Sequence, residues 1–404
     1  MISVTEAKEI IKSKVGRLPS IIKPIDEAVG FILDQDIFSP INVPSFVQSS
    51  MDGYAFAFES IQLCSTLEIT ALIQAGASKQ SVISTNNAVR IFTGAPLPEG
   101  ADTVLMQEKA IIENGALVVE GLEIEKGLNA RPIGADIQKG ALALQKGILL
   151  TPASIGFLAS IGISEVAVIK KPTVQIILTG NELQAIGNEL SFGQIFESNS
   201  HTLKAALHQV GIYHVEIISV EDDLNTITKA LGAALEKFDL ILMTGGVSVG
   251  DYDFVLEATK ANNIDQLFHK IKQKPGKPLY LGMNGEKVIC GLPGNPSSVL
   301  SCFYNYVLLV LDQLSGTKLV LPQVKAIVTN AYKKPVGLTH FLKGKFEFTG
   351  DLHNANTQYN VTILDGQESF KMHSFALANC FVDLPEDTTM VNAGDEVFLT
   401  LFPR

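Results

Sequence analysis

Asp239-Leu-Ile-Leu-Met-Thr-Gly-Gly-Val-Ser-Val-Gly-Asp-Tyr-Asp253 decides how this chain folds. Its apolar run from Leu240 to Met243 suits a strand covered on both faces. Gly245, Gly246 and Gly250 then let the backbone turn tightly and come close to a ligand, and Asp251 and Asp253 stand where a helix begins. Free amides at such a turn favour an anion such as phosphate. Carboxylates beside phosphates call for a divalent cation, because both carry negative charge. An ordinary strand-to-helix turn has the same look, so this stretch alone leaves both readings open.

Two more strand ends share the pattern. Val288-Ile-Cys-Gly-Leu-Pro-Gly-Asn-Pro-Ser-Ser298 joins a short apolar strand to a helix marked by Val299, Leu300, Phe303, Val307 and Val310. Pro296 falls in that helix's first turn, where a missing N–H costs little. Gln175-Ile-Ile-Leu-Thr-Gly-Asn-Glu-Leu183 places Glu182 after a third strand. Open parallel sheets bind ligands at the carboxyl ends of their strands, so three such ends predict one shared pocket.

The 404 residues are enough for two to four domains, and 46% hydrophobic content is ample for their cores. No apolar run reaches the roughly 18 residues that span a bilayer, and the charged start Met1-Ile-Ser-Val-Thr-Glu-Ala-Lys-Glu lacks a signal-peptide core. Cys64, Cys290, Cys302 and Cys380 have no metal-ligand spacing and read as small buried groups of a reducing cytoplasm. A formal charge of −11 argues against nucleic-acid binding and obliges an anionic substrate to find a locally basic pocket. The pattern is helical through about residue 35, with Thr5 as cap, and then turns to short strands and turns. Thr151, Pro152 and Gly162 bracket another helix. Strand–helix alternation fills 172–315, and strands return after Pro322.

Thr244-Gly-Gly-Val-Ser-Val-Gly250, Lys274-Pro-Gly-Lys-Pro278 and Gly291-Leu-Pro-Gly-Asn-Pro296 together resemble the signature set of the molybdopterin molybdenumtransferases, a family that includes the E domain of gephyrin. Ser49-Ser-Met-Asp-Gly-Tyr-Ala55 and Ile91-Phe-Thr-Gly-Ala-Pro-Leu-Pro-Glu-Gly-Ala-Asp102 agree, and the five segments run in the family's order. The resemblance implies a multidomain α/β protein. Its parts are an extended N-terminal domain (1–39 and 137–171), an inserted β-rich domain (40–136), a parallel-sheet molybdopterin-binding domain (172–320) and a C-terminal β-barrel (321–404). It implies a cytoplasmic homodimer that uses Mg²⁺ to insert molybdate into adenylylated molybdopterin, releasing AMP. A molybdopterin adenylyltransferase would act upstream and molybdoenzyme maturation factors downstream, with neither nucleic acid nor membrane involved.

Carried onto this chain, the resemblance assigns Glu182, Asp222 and Asp253 to the metal or to an activated water, and Lys270, Lys274 and Lys277 to phosphate or molybdate. Asp222 beside Asp223 could equally cap the next helix, Glu182 could be solvated, and Asp253 could serve a helix dipole. Alternation would set Lys270, Lys272 and Lys274 on one side of an extended segment. Gly245, Gly246, Ser248, Gly250, Pro293, Gly294, Asn295 and Ser298 would line the substrate, although Ser298 could as well steady its helix start. Asp52, Thr93, Arg131 and Asp136 would close the cleft from the partner subunit; by themselves Asp52-Gly53 and Thr93-Gly94 are turn pairs. Ser374 matches the family's C-terminal serine, and Lys343 stands about where an arginine is common, keeping the charge without the two-pronged contact. The rival readings are a molybdopterin adenylyltransferase, normally a short single domain, and a gephyrin-like binding scaffold.

Overall fold

The computed structural model describes residues 1–77, 81–246, 254–319, 321–349 and 358–403, so Ser248, Gly250 and Asp253 lie outside the described residues. Two compact units emerge, one formed by residues 1–21, 30–32 and 169–404, the other by 22–29 and 33–168.

The chain opens with α1 (Val4–Lys14). Ser3, not Thr5, is its cap: Ser3 Oγ accepts the Glu6 N–H at 3.1 Å, and Glu6 returns a carboxylate oxygen to the Ser3 N–H at 2.7 Å. This reciprocal box satisfies two end amides together, which fixes the start two residues early. The helical pattern expected through residue 35 stops at Lys14. Ser20–Pro24 is a strand and Ile25–Glu27 a single 3₁₀ turn.

In the unit built on 33–168, six strands form one sheet: β1 (Gly53–Phe56), β2 (Thr66–Ile73), β3 (Asn87–Ile91), β4 (Thr103–Met106), β5 (Ile111–Glu113) and β6 (Ala116–Val118). Their order is β4-β1-β3-β2-β6-β5, with only β2 and β3 parallel. Period-two alternation sends Ala55, Val89, Ile91 and Val104 to one face, and Phe56, Ala88 and Leu105 to the other. Helix α2 (Pro152–Ser160) begins as its sequence reads, with Thr151 Oγ1 accepting the Ser154 N–H at 3.3 Å and Pro152 in the first turn.

The other unit carries a six-stranded sheet. Its strands are β7 (Val174–Thr179), β8 (Val215–Val220), β9 (Leu240–Thr244), β10 (Asp265–His269), β11 (Tyr280–Asn284) and β12 (Lys287–Leu292), ordered β8-β7-β9-β12-β11-β10. The pairs from β8 to β12 are parallel, as the strand–helix alternation predicts; β12-β11 and β11-β10 are antiparallel, so the sheet is mixed. Gly285-Glu286, between the paired Asn284 and Lys287, is the two-residue hairpin loop, with Gly285 at φ +57° in the position such a tight reversal reserves for glycine.

Helices α3 (Asn199–Gln209), α4 (Leu224–Lys237), α5 (Phe254–Ala261), α6 (Pro296–Cys302) and α7 (Leu308–Ser315) accompany these strands. Ile176, Leu242 and Cys290 pack with residues of α1, α3, α6 and α7, whereas Ile177, Ile241 and Ile289 pack with α4 and α5. Helices thus cover both faces. All five residues of β9 are buried, and each large apolar side chain so placed contributes about 1.5–3 kcal/mol relative to exposure.

Five strands close the C-terminal barrel: β13 (Gln323–Val328), β14 (Thr339–Thr349), β15 (Gln358–Ile363), β16 (Cys380–Leu384) and β17 (Glu396–Leu401). They run β14-β15-β13-β17-β16, and β16 returns to β14. Leu342, Val361, Val382 and Leu399 fill its interior. Neighbouring residues point outward: Phe341, Phe381 and, from helix α8 (Met372–Leu377), Phe375 join the α/β core. Phe402 stacks on Tyr304 at 4.9 Å between ring centres and meets Phe381 edge-on at 4.7 Å.

Candidate active site

Strand register brings the three turn-bearing ends together. Leu178 pairs with Thr244, and Thr244 with Leu292, so β7, β9 and β12 finish side by side. Beyond them opens a cavity of about 470 Å³, lined by Thr179, Glu182, Asn199, Gly245, Gly294, Asn295 and Phe370 among others. At its floor the Thr179 hydroxyl donates to the Thr244 carbonyl at 3.3 Å, and the Gly245 N–H to the Leu292 carbonyl at 3.3 Å. Gly245 has φ +92°, and a Cβ there would stand 2.8 Å from both oxygens of Thr179. Only glycine fits this position.

The Gly294-Asn295-Pro296 turn is held from two sides. Asn199, at the start of α3, donates its amide to the Gly294 carbonyl at 2.8 Å. Asn295 precedes α6 yet makes no side-chain cap. It donates instead to Ser369 Oγ at 3.0 Å, and the Ser297 N–H reaches the Ser369 carbonyl at 3.2 Å. Ser298 is buried, its N–H bonded to the Asn295 carbonyl at 2.9 Å.

The lysines sit on a neighbouring turn. The Ile271 N–H bonds to the Lys277 carbonyl at 2.9 Å and the Lys270 N–H to the Leu279 carbonyl at 3.0 Å. Gln273 fills the turn, donating to the Pro275 and Gly276 carbonyls and accepting from the Tyr306 hydroxyl. Ile271, Gln273 and Pro275 are buried, Lys272 is half-buried and Lys274 exposed, so the expected alternation runs from Ile271 to Pro275; it breaks at buried Gly276, after which Lys277 is exposed. Lys270 departs from it: its φ of +69° is left-handed, not extended.

Among the acidic candidates, Glu182 is exposed at the cavity. Asp222 follows β8 and is half-buried. Its neighbour Asp223 is the α4 cap, accepting the Asn225 and Thr226 N–H groups at 3.0 Å, and these bonds hold its carboxyl below the usual range. No three His, Cys, Asp or Glu side chains gather as a metal site among the described residues.

In the other unit, Asp52 accepts the Thr93 N–H and hydroxyl, each at 2.7 Å, and its carboxyl is held low by them. Arg131 donates to Gln48 at 2.8 Å, and both line a cavity of about 610 Å³ with Asp136, Asn42 and Phe46. Lys343 and Ser374 turn to a barrel loop. Lys343 Nζ donates to the Gly366 and Lys371 carbonyls at 2.6 and 3.1 Å, and Ser374 Oγ to the same two at 2.6 and 3.2 Å. Burial pushes the Lys343 ammonium down to about 8.

Residues 2–162 match the family model of the MoeA N-terminal region (domains I and II), 176–313 that of a probable molybdopterin binding domain, and 325–402 that of the MoeA C-terminal region (domain IV). A molybdopterin molybdenumtransferase of Haemophilus influenzae is 38% identical over 384 residues, spanning 94% of this chain and 93% of that protein. The chain belongs to the molybdopterin molybdenumtransferase family. Its Staphylococcus epidermidis relative is 33% identical over 413 residues, 99% of this chain and 95% of that one. The solved structure of a molybdopterin biosynthesis MoeA protein from Pyrococcus horikoshii OT3 superposes with a TM-score of 0.78 at 28% identity, covering 100% of both chains.

Sequence reasoning missed Asn199, Gln273, Ser369 and Phe370. Asn199 carries a readable signal, a capping residue type at a helix start. Ser369 and Phe370 carry none, since they meet Asn295 and the cavity only through the barrel's closure.

Proposed function

We propose that this chain inserts molybdate into the dithiolene of adenylylated molybdopterin and releases AMP, in molybdenum cofactor biosynthesis. The cavity at the joined ends of β7, β9 and β12 carries the reading: it has the turn backbone, polar side chains and volume that a nucleotide-linked phosphate ligand needs. Cleaving such a phosphoanhydride is mostly a matter of positioning and charge neutralisation. Water adds to phosphorus, AMP leaves and molybdopterin keeps its own phosphate; the two dithiolene sulfurs displace one molybdate oxygen, which departs with both thiol protons as water.

In this reading the turns at Gly245, Gly246 and Gly294 face the pyrophosphate, and Ser248, Gly250, Pro293, Asn295 and Ser298 are further substrate-binding residues. Lys270, Lys274 and Lys277 offset the charge of phosphate or molybdate. Hard oxygen donors suit Mg²⁺, and Glu182 leaves its carboxylate exposed at the cavity. Glu182, Asp222 and Asp253 would hold the ion, which when bound neutralises pyrophosphate charge. Glu182 also orients the attacking water.

The reading further includes a cytoplasmic homodimer in which Asp52, Thr93, Arg131 and Asp136 of one subunit complete the other's site. A molybdopterin adenylyltransferase supplies the substrate, and molybdoenzyme maturation factors take the product. The four-part division at 1–39 with 137–171, 40–136, 172–320 and 321–404 belongs to the same proposal. Glu182→Ala tests it: AMP release should be lost with circular dichroism unchanged. Undiminished AMP release from this variant would remove Glu182 from the site.

A further inference from the structure

Lys343 stands where the family resemblance suggests an oxyanion contact, yet its ammonium is already surrounded. The residue is 2% exposed. Besides the Gly366 and Lys371 carbonyls, Nζ lies 3.4 Å from the Glu368 carbonyl and 3.4 Å from Ser297 Oγ. The backbone is tied as well: the Lys343 N–H donates to Gln367 Oε1 at 2.9 Å, and Gln367 Nε2 returns to the Lys343 carbonyl at 2.9 Å. Three of the four oxygens around Nζ belong to one loop, and the fourth lies in the first turn of α6. An ammonium has three protons to donate, so this shell leaves none for a ligand.

We propose that Lys343 is a positioning residue: its buried ammonium clasps the 366–371 loop of the barrel to the start of α6 and thereby sets Ser369 and Phe370 at the mouth of the candidate active site. Ser369 then holds Asn295 and Ser297 through the two bonds described above. Phe370, 63% exposed, presents an aromatic wall to the cavity. Such a face suits stacking on a planar heteroaromatic ring, and its assignment to the pterin rests on the proposed function. The charges facing Nζ are Glu368 and Lys371, which pair with each other at 3.4 Å, so neither displaces the carbonyl shell.

The chain contains no tryptophan, so Phe370→Trp places a unique fluorophore on the loop. In that background, Lys343→Met keeps most of the side-chain volume and removes the donors. Its tryptophan anisotropy should fall without any substrate present. KM for adenylylated molybdopterin should rise roughly tenfold while kcat stays within about twofold, as expected when binding is lost without loss of chemistry. Lys343→Arg, which restores a charged donor, should recover both readouts in part. Ser369→Ala, a small change at a half-buried loop position that keeps the carbonyl bonded to Ser297, should raise KM in the same direction and covers the case in which Lys343→Met fails to fold. Unchanged anisotropy in Lys343→Met, or a fall in kcat at constant KM, would overturn the clasp. If anisotropy falls but wild-type protein does not turn over adenylylated molybdopterin, the clasp stands and the functional reading fails.

Discussion

Replacing Asp383 by asparagine should change how stability depends on pH. Asp383 Oδ2 accepts the Thr400 hydroxyl at 2.6 Å, while Oδ1 is buried with no hydrogen-bond partner among the described residues. Burial pushes its carboxyl up to about 6 from the usual 3.8, against the opposing pull of Thr400 and Lys8. Between those values the native state holds a proton that the unfolded chain has released, so stability falls as pH rises. At about 1.4 kcal/mol per pH unit the loss is about 3 kcal/mol.

His340 has the opposite slope. It is 2% exposed, and neither ring nitrogen has a hydrogen-bond partner among the described residues. Burial, then Lys334 and Lys274, push its pKa down to about 4 from 6.5. Here the unfolded chain binds the extra proton, so stability rises by about 3 kcal/mol across nearly the same window. In the native protein the two slopes nearly cancel. Relative to the native protein, Asp383→Asn should therefore gain roughly 3 kcal/mol between pH 4 and 6.5, and His340→Leu should lose roughly 3 kcal/mol. Urea midpoints at fixed m, measured at half-unit pH steps, give these slopes. Parallel profiles for the three proteins would mean that neither Asp383 nor His340 changes its proton affinity on folding.

Three other experiments bear on the site. Gly276→Ala should destabilise by about 3 kcal/mol or more, since left-handed strain adds to overpacking; the residue has φ +83°, and its Cβ would overlap Cys302 Sγ. A thermal melt checks this, and an unchanged midpoint would mean the turn relaxes freely. Lys274→Ala should weaken adenylylated molybdopterin binding roughly tenfold to hundredfold, the worth of one charge-assisted bond, with the gap narrowing in high salt; equal low-salt affinities would make Lys274 a solvated surface charge. Mixing inactive Asp52→Ala with inactive Glu182→Ala should regenerate part of the activity if a dimer shares its sites. No recovery despite demonstrated subunit exchange would count against the shared site.

Much of the α/β region was legible because its signals are local. Leu240 to Met243 is uniformly apolar because β9 is buried on both faces, and each glycine turn follows directly on its strand. Thr151-Pro152 likewise announces α2 within a few residues. At the N-terminus two good caps compete, and the three-residue spacing of Ser3 and Glu6 decides between them. The short elements after Lys14 depend on distant partners: the Ile25 N–H bonds to the Ser164 carbonyl at 3.0 Å, which no local pattern reveals. Antiparallel β11 was hidden because strand–helix alternation masks a hairpin, although Gly285-Glu286 between two apolar runs was there to be read. The role of Lys343 was the least legible. Sequence shows its charge, but the carbonyls that occupy that charge come from a loop beyond β15, brought back by barrel closure.

The most direct measurement is AMP release by the purified 404-residue chain given adenylylated molybdopterin and Mg²⁺, with and without molybdate, together with the molybdenum content of the pterin product. Equal amounts of AMP and molybdenum-bearing pterin are expected when molybdate is present, with both lost in Glu182→Ala. Wild-type protein that binds adenylylated molybdopterin yet forms neither product would contradict the proposed function.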